Sequence, residues 1–241
     1  MLSLGLKRSA GICTISQAVA GEIRERFPRL RDRVEVAYPG PNPGLIEAAP
    51  VKAAVPEAPF LLMVGTLEPR KNHLTVLRAL KDHLGRHPDS ELRLVLAGSA
   101  GWLYDPLLRA IADLQLQTRV VRLGSVEPGV LKWLYQHAAA LVFPSLYEGF
   151  GLPVLEAFVI GCPVVAARIP SVVEIAGEDA ALLLEPTDVP AWADAIDRIA
   201  SRSLPPQMVE AGRRRAQRFT WSGCADSVIK LMAPSAERGP T

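Results

Sequence analysis

The sequence predicts an α/β fold in which a parallel sheet is covered by helices on both faces. Three observations predict it. Short apolar runs recur from residue 60 onward, at 60–65, 92–98, 120–124, 140–143, 163–167 and 181–184. Each run is apolar on both faces, as suits a strand buried from two sides. Helix-like segments lie between them, at 72–86, 103–116, 128–138, 152–160, 170–176 and 189–202, and this alternation is the pattern of βαβ crossovers. The result is a doubly wound, Rossmann-like sheet, whose ligands bind beyond the carboxyl ends of the strands near the point where strand order reverses.

The remaining elements follow in chain order. Gly11 to Ser16 reads as a short buried strand, Gln17 to Phe27 as an amphipathic helix and Arg33 to Tyr38 as a second strand, before Pro39-Gly-Pro-Asn-Pro-Gly44 breaks the pattern. Residues 48–59, rich in Ala, Pro and Val, read as a linker. Pro205 to Phe219 and Trp221 to Met232 close the chain as two helices. Arg213-Arg-Arg215 lies on the polar side of the first and reads as a solvated face, with contact to anionic lipid as the alternative.

Composition narrows the function classes. A length of 241 residues and 49% hydrophobic content suffice for a packed core, and a net charge of +2 from 27 basic and 25 acidic residues gives no field for nucleic acid. Cys13, Cys162 and Cys224 are too far apart for metal spacing and fit reduced thiols of a cytoplasmic protein. The first residues lack the apolar core of a signal peptide, and no run approaches a membrane span. His73, His83, His87 and His137 are scattered over predicted helices as surface or helix-end residues, so no metal site is expected. There is no P-loop, and Gly149-Phe-Gly151 lacks the third glycine of a dinucleotide fingerprint.

The chemistry is expected around Phe143-Pro-Ser-Leu-Tyr-Glu-Gly-Phe-Gly-Leu-Pro-Val-Leu-Glu156. This stretch reads as a strand end, a glycine turn and the first turn of a helix with Pro153 at its start. Such a turn aims helix N–H groups at an anion, phosphate above all. Glu148 and Glu156, eight positions apart, bracket it. Each has a plain reading, Glu148 as a solvated loop acid and Glu156 as an acid favoured by the helix dipole. As a pair beside a phosphate turn, they suit the hydroxyls of a ribose or hexose, which donate hydrogen bonds to carboxylates. After the first sheet strand comes Gly65-Thr-Leu-Glu-Pro-Arg-Lys-Asn72, with Asn72 placed to cap the next helix. Arg70 and Lys71 oppose the dipole there, so they are read as partners of a diphosphate, with ordinary surface charge as the alternative. Gly98-Ser-Ala-Gly-Trp102 and Gly124-Ser-Val-Glu127 lie on the same rim, and Trp102 reads as a packing residue.

The Glu-Gly-Phe-Gly-Leu-Pro-x-x-Glu run resembles the Glu-x7-Glu signature of retaining GT-B glycosyltransferases of family 4, and the Glu-Pro-Arg-Lys-Asn loop is similar to theirs. The likeness extends over roughly residues 11–232, including Gly161-Cys-Pro-Val-Val165, and Thr66 stands where many relatives carry an arginine. It implies the C-terminal, donor-binding half of a GT-B fold at 60–218, a remnant of the N-terminal acceptor domain at 1–47, a linker at 48–59 and a closing helix and tail at 219–241. The implied function is metal-independent hexosyl transfer with retention to a glycan or lipid-linked acceptor, most like mannosyltransferases using GDP-mannose, with a UDP-sugar as the alternative donor, in the cytoplasm or peripherally at the inner face of the cytoplasmic membrane. Glu156 would hold the ribose and Glu148 the sugar, while Arg70 and Lys71 neutralise the departing diphosphate. Gly65, Thr66 and the N–H groups of Gly149, Phe150, Gly151 and Leu152 would line the donor, and Ser125 and Val126 would meet the base. The alternatives are a nucleotide-sugar binding module completed by a separate N-terminal polypeptide, or a sugar-nucleotide epimerase of related fold.

Overall fold

The computed structural model describes residues 9, 11–102 and 104–232. Its centre is a six-stranded, all-parallel sheet made of β3 (Phe60–Val64), β4 (Arg93–Ala97), β5 (Val120–Gly124), β6 (Ala140–Phe143), β7 (Val164–Ala167) and β8 (Leu182–Leu184), in the order β5-β4-β3-β6-β7-β8. Every residue of β6 and β7 is buried, as their two-sided apolar runs require. The chain winds outward from β3 to β5, returns to the middle at β6 and winds the other way. The order therefore reverses between β3 and β6, where Leu61 pairs with Ala140 and Leu62 with Leu141. Their carboxyl ends open the crevice expected of such a sheet.

The crossovers between these parallel strands place helices on both faces of the sheet. One carries α3 (His73–Arg86), α4 (Asp105–Asp113) and α8 (Val189–Ala200), with α3 packed on both others. The opposite face carries α5 (Pro128–His137), α6 (Leu152–Ile160), α7 (Pro170–Ala176) and α9 (Pro206–Ala216), where α6 touches the other three. Trp192, Tyr135, Phe143 and Phe158 are among the largest side chains of this core.

A smaller unit precedes the sheet. β1 (Ile12–Thr14) and β2 (Val34–Val36) pair in parallel, joined by α1 (Gln17–Arg26) and a 3-10 turn at Pro28–Arg33. Ile12, Ala20, Leu30 and Val34 form its own core. α10 (Trp221–Met232) packs back against β2, and Trp221 donates its indole N–H to Pro41 O at 2.8 Å. The Pro- and Gly-rich break at residues 39–44 hides a short helix, α2 (Pro43–Glu47). Asn42 caps it by accepting the Gly44 N–H at 3.0 Å, and the fully buried Leu45 anchors it. Residues 48–59 carry neither helix nor strand, but Lys132 of α5 ties them down through Ala48 O at 2.9 Å, as does the Val51 N–H on Gly129 O at 3.0 Å. The expected helix start at residue 103 and the tail beyond 232 lie outside the described residues.

Two expectations about charged residues are corrected. Arg215 is no solvated side chain: its guanidinium donates to Ile175 O at 2.6 Å and Glu174 O at 3.1 Å, closing the carbonyl end of α7. Arg213, though exposed, lies across Gly161 at the end of α6, so the solvated-face reading fits Arg214. All four histidines lie at or near helix ends as expected, but His73 and His83 are buried there, whereas His87 and His137 are exposed.

Candidate functional site

The crevice between β3 and β6 is closed by two loops, 65–72 and 144–151, which are laced together. Leu146 donates its N–H to Arg70 O at 2.9 Å, and Asn72 donates its amide to Pro144 O at 3.1 Å and to Pro186 O at 2.7 Å. Asn72 takes a left-handed conformation with φ 53°, which asparagine tolerates better than most residues. Its side chain spans three loops and does not cap the N–H groups of α3, so the predicted cap becomes a crosslink.

Arg70 and Lys71 meet Glu148 within this lacing. Lys71 Nζ lies 2.6 Å from one carboxylate oxygen of Glu148 and Arg70 Nη1 lies 2.7 Å from the other. Lys71 crosses Gly65, where a Cβ would sit 3.2 Å from Lys71 Cε, and its ammonium stands 5.2 Å from the centre of the Phe143 ring. Glycine at φ 132° is what lets the chain turn there beneath the lysine. Arg70 is held again by Glu68 at 2.6 Å and by Tyr147 O at 2.8 Å. Burial opposes the charge on Arg70, but the hydrogen bonds and charges of Glu148 and Glu68 outweigh it and raise its pKa. Two cations and two carboxylates thus balance. After these bonds Lys71 still has two N–H donors, and Arg70 remains 37% exposed in its side chain.

The glycine turn is positioned from below and behind. Phe150 is buried against Tyr38 and Phe219, at ring-centre distances of 6.3 and 5.5 Å, so it offers a ligand its backbone alone. Gly149 O accepts from Ser16 Oγ at 2.6 Å, linking the turn to the first residues of α1. Gly151 has φ 122°, open to glycine, whereas Gly149 is not in a positive-φ conformation. Leu152 opens α6 and is partly exposed. This helix runs from Leu152, so Glu156 lies one turn inside it and not in its first turn as expected. Glu156 is only 7% exposed and accepts a 2.9 Å hydrogen bond from the Tyr135 hydroxyl of α5. Burial raises its pKa to about 7, against the opposing effect of the Tyr135 bond; burial and Glu156 in turn push the Tyr135 phenol well up.

Gly65, Arg70, Lys71 and Glu148 are therefore brought together, with Thr66 exposed beside them. Ser125 and Val126 stand farther along the rim, two strands from β3, with Ser125 exposed and Val126 packed against the core. The intervening loop is zipped to the first by Leu67 N–H on Ser99 O at 2.9 Å and Gly101 N–H on Leu67 O at 3.1 Å. Trp102, read as a packing residue, is instead 62% exposed. Glu68 and Ser16 were not singled out from sequence. Glu68 precedes a proline two residues before Arg70, which was a usable signal; Ser16 is 133 positions from its partner and gave none.

Residues 46–215 match the family model for glycosyl transferases group 1. The chain belongs to that family. Among its relatives is the O-antigen chain mannosyltransferase B of Escherichia coli, 35% identical over 171 residues, covering 70% of this chain and 44% of that protein. Another is the D-inositol 3-phosphate glycosyltransferase of Saccharomonospora viridis, 33% identical over 238 residues, covering 91% of this chain and 55% of the relative. This group 1 chain thus spans about half the length of the curated relatives it matches. Among solved structures, HepE of Anabaena in complex with UDP and glucose superposes with a TM-score of 0.82 over 95% of this chain and 64% of HepE; at 21% identity this shows shared fold. The fold is the Rossmann-like, C-terminal half of the GT-B architecture. Among the described residues no helix is long and apolar enough to cross a membrane.

Proposed function

We propose that this chain is the donor-binding half of a family 4, metal-independent glycosyltransferase that moves a hexose from a nucleoside diphosphate sugar with retention. The observation that carries the reading is the meeting of Arg70, Lys71 and Glu148 at the reversal of strand order, beside the N-terminus of α6. A diphosphate would share these two cations with Glu148 and Glu68. It would take up the remaining N–H donors of Lys71 and Arg70 and the backbone N–H groups from Gly149 to Leu152, in a place where donors fixed in advance stabilise developing negative charge. Gly65 and Thr66 would border the donor. Glu148, oriented by both cations, would then accept from hydroxyls of the transferred sugar, and Glu156 from those of the ribose. Ser125 and Val126 would border the base.

Mannose from GDP-mannose is the donor we favour, since the Escherichia coli relative is named a mannosyltransferase. The acceptor, a glycan or lipid-linked sugar, is assigned to a second domain, in the same polypeptide or a separate one, because the relatives are about twice as long. Cytoplasmic placement with peripheral contact at the membrane belongs to the same proposal. Calorimetry with GDP-mannose, UDP-glucose, GDP and UDP, without added metal, tests it. GDP-mannose should bind most tightly, and heat from UDP-sugars alone would remove the mannose assignment while keeping the donor site.

A further inference from the structure

Three potential metal-binding side chains outside the crevice converge at the far end of α3. His83 and His87 stand four positions apart there, and Asp197 of α8 faces them across a helix pair; one ligand atom from each lies within 4.8 Å of the others. His83 Nδ1 is 2.6 Å and His87 Nε2 is 3.3 Å from the same oxygen of Asp197. Ligands around a tetrahedral zinc at about 2.0–2.1 Å are themselves separated by roughly 3.3 Å, a spacing that His87 and Asp197 already have, while His83 must draw back from Asp197 to admit a metal. We propose that His83, His87 and Asp197 form a zinc-class metal site that fastens α3 to α8.

Neighbouring side chains orient the ligands. Ser90 Oγ lies 2.9 Å from His83 Nε2, which leaves Nδ1 facing Asp197. Arg86 holds the other Asp197 oxygen at 2.7 Å and also pairs with Asp194 at 2.9 Å, fixing the carboxylate's orientation. Such outer contacts set ligand direction and basicity in metal sites. His83 is buried and ordered from below, while His87 is exposed at the mouth of an open cleft and gives the ion its route in. Two imidazoles and one carboxylate select zinc or nickel over magnesium, which takes oxygen ligands. The fourteen residues of α3 separate this site from Lys71 by roughly 20 Å at 1.5 Å per residue. The ion would therefore act on the support of the crevice and not on its chemistry.

The test is calorimetric titration of zinc into the chelator-treated full chain, with thermal unfolding read on the same samples. Wild type should bind one ion per chain, and zinc at about a hundred times Kd should raise Tm by roughly 5–10 °C. His87→Ala, exposed and safe for folding, should lose at least about tenfold in affinity, and Ser90→Ala about 10–100-fold, while GDP-mannose affinity stays unchanged. Zinc binding that is equal in wild type and His87→Ala, or absent in wild type, would overturn the site and leave the three residues as a hydrogen-bonded ion pair.

Discussion

Lys71 and Arg70 share Glu148 as a common counter-ion, and this decides how each substitution should read. Lys71→Ala should weaken nucleoside diphosphate binding by about 1.5–3 kcal/mol, the usual worth of a hydrogen bond to a charged group, without unfolding the domain. Glu148→Gln releases both cations. It should therefore bind GDP at least as tightly as wild type while losing the gain that an attached sugar provides, a split that calorimetry with GDP and GDP-mannose resolves. Glu156 adds a pH signature: with a pKa near 7 it is only partly ionised at neutral pH, and its ionised form is the acceptor for ribose hydroxyls. GDP-mannose, whose diphosphate does not titrate in this range, should bind more tightly as pH rises through about 7, and Glu156→Gln should lose that dependence.

Among the elements, the strands were the most legible, because β3, β6 and β7 carry their two-sided burial in unbroken apolar runs, and β4 does so after Arg93. The short helix α2 was not legible, since Pro43 and Gly44 are read as breakers unless it is known that Asn42 caps and Leu45 is buried. Side-chain pairings at long separation were equally invisible: Arg70 and Lys71 find Glu148 more than seventy positions away, and His83 finds Asp197 at 114. Arg215 shows the same limit, as a run of three arginines gives no hint that one closes α7 while its neighbour is exposed. Arg215→Ala should accordingly cost about 1–2 kcal/mol in chemical denaturation for its lost carbonyl contacts, whereas Arg214→Ala should stay within about 0.5 kcal/mol.

At the scale of the molecule, two buried titrating groups flank the crevice and pull stability in opposite directions. Burial, aided by the charge of Lys71, lowers the His73 pKa to about 4 from its usual 6.5. Across that window the unfolded chain holds a proton that the folded one lacks, so stability rises with pH. Glu156 does the reverse: between 4.5 and about 7 the folded chain holds the extra proton, and stability falls as pH rises. The two slopes offset one another in wild type below the usual histidine pKa. Glu156→Gln should unmask a rising Tm between about pH 5 and 6.5, and thermal scans across that range check it. These groups belong to one arrangement, in which strand order reverses at β3 and β6 and the smaller unit, through Ser16, holds the glycine turn.

The most direct measurement is calorimetric titration of GDP-mannose, without metal, into wild type, Lys71→Ala and Glu156→Gln, each shown to unfold cooperatively. The donor-site account predicts binding in wild type and a loss of at least about tenfold in both variants. Equal affinity in all three would contradict it, because the ligand would then be held somewhere other than the crevice between β3 and β6.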